Sequence, residues 1–118
     1  MLGLDLAVVV VFVVVGRRTH DEAETVAAIL ETAAPFLAGM ATGWVATRAS
    51  ARPIELGTGA GVLLATLVVG MAARALVFSD GTAGTFIAVA AAFLTLGFLG
   101  WRLLVLAVVV RAAADLEA

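Results

Sequence analysis

The chain has 118 residues, of which 64% are hydrophobic and 14% charged, with a formal net charge of −2. A soluble domain runs nearer half apolar and a quarter charged, and a chain this short leaves too much surface exposed to hide the excess from water, so the composition points to lipid as the solvent. The absence of Cys excludes a disulfide framework and thiol chemistry, the single His excludes a His-rich metal site, and seven basic residues, all Arg and without a basic run, give nucleic acid nothing to bind.

The first apolar run, residues 2–15, is rich in Val and is followed by Gly16-Arg17-Arg18. A signal peptide carries its positive charge ahead of the apolar core. Here Asp5 lies ahead and the arginines lie behind, so the run is read as a retained first helix over about 2–18. It is short for a bilayer, which takes about 20 residues, and snorkelling arginine stems lengthen it. Thr19-His20-Asp21-Glu22 has the spacing of a capping box, which predicts a second helix over about 20–47. Within it, Pro35 removes a backbone donor and predicts a kink.

Residues 48–53 form a short connection, with Pro53 expected to open a third helix over about 54–78. A turn at Ser79-Asp80-Gly81-Thr82 leads to a fourth helix over about 82–101. The apolar residues 103–110 then either prolong that helix to about 112 or lie at the membrane surface. The expected fold is all-α: a polytopic membrane protein forming one domain over 1–118, a bundle of four transmembrane helices. Thr32-Ala33-x-x-Phe36-Leu37-Ala38 recurs as Thr82-Ala83-x-x-Phe86-Ile87-Ala88, which raises the alternative of two tandem helical hairpins.

Gly16-Arg17-Arg18-Thr19-His20, Pro35-Phe36-Leu37-x-Gly39, Gly43-Trp44, Gly70-Met71-x-x-Arg74, Gly81-Thr82-Ala83-x-x-Phe86 and Gly100-Trp101-Arg102 together resemble a family of short bacterial and archaeal membrane proteins known only as a domain of unknown function (three-zero-five-four). The resemblance covers nearly the whole chain. It implies four spans in a bacterial or archaeal cell membrane and implies no activity. Gly70…Arg74 and Gly81-Thr82 also echo small fluoride channels, but the chain has no Asn, so only the architecture of that family is comparable.

Four spans put both termini and the 48–55 connection on one side. That side holds Arg48, Arg52, Arg102 and Arg111 against Arg17, Arg18 and Arg74 on the other, a slight bias toward cytoplasmic termini. Ionisable groups inside spans are costly and are candidates for function. Glu31 and Arg74, with Arg17, Arg18 and His20 at the same mouth, form the candidate polar cluster or ligand-binding site. A structural ion pair is the commoner use of such residues. A solvated His at a helix start is likewise ordinary, although His20 could titrate near neutral pH.

Asp5, on the opposite side, suits a helix N-terminus and lies within reach of Arg102 or Arg48. Trp44, Trp101 and Arg102 read as interfacial anchors of an aromatic belt. Gly39-x-x-x-Gly43 and Gly57-x-x-x-Gly61 read as helix-packing faces.

No cofactor and no metal is implied, and no catalytic set is present, so an enzyme is not expected. The expected partners are the lipid bilayer and further copies of the chain, a dimer being favoured. Two functional classes remain. One is a small homo-oligomeric transporter or channel for a small ion or metabolite. The other is a non-transporting membrane assembly factor or accessory subunit.

Overall fold

The computed structural model describes residues 2–19, 25–76 and 84–117. These form four helices and no strand among the described residues: α1 (Gly3–Thr19), α2 (Val26–Thr47), α3 (Leu56–Leu76) and α4 (Gly84–Glu117). Three of them, α2, α3 and α4, are long and apolar enough to cross a membrane, and α1 is a shorter apolar helix.

The helix boundaries depart from the sequence expectation at two places, and a choice it left open at a third is decided. Thr19 closes α1 instead of capping the second helix, and the rest of the expected capping box, with His20 and Glu22, lies outside the described residues. The observed cap of α2 is Thr25, whose hydroxyl accepts a hydrogen bond from the Ala28 amide at 3.1 Å. Pro53 does not open α3. It sits in the connection two residues before Glu55, and the helix starts at Leu56. Finally, α4 continues without interruption past Arg102 to Glu117 as a helix of 34 residues. At a rise of about 1.5 Å per residue it is roughly 50 Å long, and it accounts for the 55 Å long dimension of the molecule.

α2 runs unbroken through Pro35. It ends where Arg48 adopts a left-handed conformation (φ 54°, ψ 47°). There the Arg48 amide donates to the Val45 carbonyl at 3.3 Å and the Ala49 amide to the Trp44 carbonyl at 2.9 Å. These two bonds close the last carbonyls of the helix in a Schellman arrangement, in which Gly is the usual left-handed residue.

The helices pack as a ring. α1 touches α2 and α4, α3 touches α2 and α4, and the diagonal pairs do not meet. The core on the ring's axis is built from Val9, Phe12 and Val13 of α1, Ala33, Phe36 and Met40 of α2, Val62 of α3, and Ala90, Leu94 and Phe98 of α4. Phe12 joins three helices. Its ring meets Phe36 edge-on, with centroids 5.4 Å apart and planes at 83°, and meets Phe93 at the same distance.

The most extensive contact is between α2 and α3, and glycine makes it. A Cβ added at Gly39 would lie 2.8 Å from the Thr66 Cα, and one at Gly43 would lie 2.8 Å from the Val62 Cα. The backbones therefore touch along the Gly39-x-x-x-Gly43 face, the geometry that small residues permit in membrane helices. The second expected pair is split. Gly61 abuts the Thr47 side chain, while Gly57 faces open space. Gly70, against Phe36, and Gly97, against Val8, are further close approaches that the sequence spacing does not single out.

Candidate functional site

The polar residues of the described helices converge at one end of the ring. Asp5 stands in the first turn of α1. Arg102 stands on α4 one turn beyond Phe98, so the same face that fills the core with Ala90, Leu94 and Phe98 next presents a guanidinium. Both residues have 0% exposure.

The guanidinium grips the carboxylate in a bidentate fork. Arg102 Nη1 donates to Asp5 Oδ1 at 2.7 Å and Nη2 donates to Oδ2 at 2.8 Å. Two indoles complete the carboxylate's shell. Trp101 Nε1 donates to Oδ1 at 2.8 Å and Trp44 Nε1 donates to Oδ2 at 3.0 Å. Each oxygen thus accepts two bonds, which is the full capacity of an ionised carboxylate.

The arginine is held as firmly. Its Nε donates to the Pro53 carbonyl at 2.8 Å and Nη1 donates also to the Phe98 carbonyl at 3.1 Å. Its Cζ lies 4.4 Å from the centroid of the Trp101 ring, within cation–π range. α3 contributes by omission: a Cβ at Gly59 would fall 2.7 Å from Arg102 Cδ, so glycine there leaves the space the arginine stem fills.

Taking two charges out of water costs several kcal/mol per ion, and the pair is tolerable only with close geometry and every remaining valence bonded. Both conditions hold. No fully buried side-chain nitrogen or oxygen among the described residues lacks a partner. Through the Asp5–Arg102 pair, with two indole nitrogens on the carboxylate and one loop carbonyl on the guanidinium, α1, α2, the α2–α3 connection and α4 are joined. Chemically the centre is saturated: Asp5 has no lone pair left to offer a ligand or a metal ion.

Sequence reading places Asp5 within reach of Arg102 or Arg48, and the structure selects Arg102, leaving Arg48 exposed. It treats Trp44 and Trp101 as belt residues, and their indole N–H groups turn inward to Asp5 instead of outward. The Pro53 carbonyl and the Gly59 vacancy carry no signal in the sequence. Both are backbone features, visible only once α3 and α4 are docked.

Much of the other mouth lies outside the described residues. Glu31 is exposed on α2 and Arg74 is half-buried in the last turn of α3, and no ion pair joins them among the described residues. Arg17 and Arg18 occupy the last turn of α1, and His20 lies outside the described residues. No cluster of three or more His, Asp or Glu side chains suited to a metal ion occurs among the described residues. The hydroxyls of Thr42, Thr66 and Thr95 donate to carbonyls of their own helices, the ordinary use of a membrane threonine.

An all-α ring of long apolar helices with a saturated ion pair in its interior defines a multi-pass helical membrane protein. The family model described as a protein of unknown function, DUF3054, matches residues 2–105, and the chain belongs to that family. No curated protein and no solved structure gives a match.

Proposed function

We propose that this protein is a non-transporting membrane component, an assembly factor or accessory subunit, that crosses the bilayer four times and acts through its outer helical surfaces. The observation that carries the reading is the saturation of the Asp5–Arg102 centre. A transport pathway needs polar groups that exchange partners with a passing solute. Here the buried charges are committed to each other, to two tryptophans and to a loop carbonyl. The outer surface, in contrast, is broad and apolar, with Val26, Val45, Leu64, Leu76 and Leu96 exposed on three helices.

The competing reading is a small homo-oligomeric transporter or channel, with Glu31 and Arg74 at a polar mouth and Arg17 and Arg18 as a funnel. Exposed Glu31 on a membrane helix supports it, because a carboxylate facing outward in one copy gains a partner in a dimer. Reconstitution separates the two. Purified protein in liposomes is expected to give no flux above empty vesicles across a panel of ions and metabolites. Native electrophoresis of gently solubilised membranes is expected to place the chain in a complex larger than its own oligomers. Saturable flux that disappears in Glu31→Gln would overturn the proposal. Termini on the cytoplasmic face follow from the slight arginine bias, and a terminal reporter fusion tests them.

A further inference from the structure

The three shorter helices stop near the level of the Asp5–Arg102 centre, yet α4 continues for fifteen residues beyond Arg102. The next ionisable side chain is Arg111. At about 1.5 Å per residue it lies roughly 13 Å farther along the axis. The intervening residues 103–110 are Leu-Leu-Val-Leu-Ala-Val-Val-Val. Eight successive residues at about 100° each place apolar side chains at every azimuth.

That distribution decides what covers them. A helix lying on a membrane surface needs a polar side to face water, and this stretch has none. One docked helix would cover one side only. Leu104 at 71% and Val108 at 67% exposure, with Val109 and Val110 also exposed, leave the remaining sides bare. A medium that is apolar in all directions is required, and that is the acyl-chain region of a bilayer.

A second observation points the same way. The centre is encircled, on the outside of the ring, by apolar side chains from every helix: Leu4 and Leu6 of α1, Val45 of α2, Leu56 of α3, and Leu103 and Leu104 of α4, all exposed. Val45, adjacent to Trp44, is 81% exposed. A site at the aqueous boundary would be ringed by polar groups. Here the exposed charges, Arg48, Arg52 and Glu55, are confined to the α2–α3 connection, while the helices themselves present apolar side chains.

We infer that lipid hydrocarbon envelops α4 as far as Val110, so that the Asp5–Arg102–Trp44–Trp101 centre is immersed in the bilayer instead of standing at its surface. The polar boundary on that side then falls at Arg111, Asp115 and Glu117. Arg48 and the exposed Arg52–Glu55 pair of the connection reach it by extending their side chains toward the headgroups, drawing the bilayer thinner around the connection than around α4. The inference needs only that the chain spans a membrane, and stands whether or not the protein transports.

The chain has no Cys, which makes site-directed spin labelling direct. Leu4→Cys, Leu104→Cys, Val108→Cys and Leu116→Cys are labelled singly in the full chain and reconstituted in phosphatidylcholine–phosphatidylglycerol vesicles. All four positions point away from the core, and circular dichroism of each labelled variant checks the fold. Collision with dissolved oxygen, which concentrates in hydrocarbon, is compared with collision with a water-soluble nickel chelate. The oxygen-to-nickel ratio is expected to be several-fold higher at 4, 104 and 108 than at 116. Nickel access at 104 and 108 comparable to that at 116 overturns the inference in favour of water. Exclusion of both reagents at those positions, with spin–spin broadening between copies, overturns it in favour of a protein partner.

Discussion

Replacing Asp5 by Asn tests the centre most directly. The substitution keeps the shape and removes the charge, so Arg102, at 0% exposure, is left as a buried cation facing a neutral amide. Only one oxygen remains where Nη1, Nη2 and two indole nitrogens had shared two. Breaking one side of a buried ion pair costs about 3–5 kcal/mol, or about two to three and a half powers of ten in the folding equilibrium. The two tryptophans of the chain are the two that bond Asp5, so their fluorescence reports on the site itself. Unfolding by sodium dodecyl sulfate in mixed micelles, followed by that emission, is expected to shift to a markedly lower detergent fraction. The double variant Asp5→Leu, Arg102→Met removes both charges and leaves two indole N–H groups without their acceptor, at about 1–3 kcal/mol each. Its loss is therefore expected to be well below the sum of the two single losses. Strictly additive losses, or an Asp5→Asn variant that unfolds where the parent does with unaltered emission, would refute the network.

Other expected outcomes follow from local geometry and are read by the same unfolding assay. Gly39→Ala and Gly43→Ala force a methyl against the α3 backbone and should each cost about 1–3 kcal/mol, whereas Gly57→Ala, facing open space, should be neutral or slightly stabilising. Arg48→Gly relieves a left-handed backbone (φ 54°) and should stabilise by up to about 1–2 kcal/mol, so a clear loss would mean that the arginine side chain serves a purpose its exposure does not reveal. Thr25→Ala removes the acceptor for the Ala28 amide and should cost about 0.5–2 kcal/mol, with no change in tryptophan emission because the cap lies at the opposite end of α2 from Trp44.

The helix count and fold class were legible because lipid requires every span to satisfy its own backbone, which leaves long apolar runs little alternative. The join of residues 103–117 to α4 was undetermined, since apolar periodicity alone does not distinguish a helix that continues from one that bends. The start of α2 went astray because Thr19 and Thr25 each offer a capping hydroxyl, and the Glu three residues after Thr19 made it the stronger local signal.

Gly39 and Gly43 were readable from spacing, while Gly59 and Gly70 were not, because their reason lies in the single side chains, Arg102 and Phe36, that enter their space. The centre itself was half legible. Asp5 and Arg102 each stood out as charges in apolar runs, but their neighbouring tryptophans suit a membrane belt equally well, and nothing in a linear sequence says which way an indole nitrogen points. The candidate cluster around Glu31 and Arg74 rested on shared depth alone, and its other members, His20 and the side chains of Arg17 and Arg18, lie outside the described residues.

The partners in the ion pair are separated by 97 positions, with the carboxylate in α1 and the guanidinium in α4. Until α4 is made, α1 lacks the guanidinium that pairs with its acid in the complete fold. Removing that acid from water while Arg102 is missing carries the full solvation cost of a lone ion. Closure of the ring thus coincides with arrival of the fourth helix, and a chain interrupted before Arg102 retains a solitary carboxylate in its membrane domain.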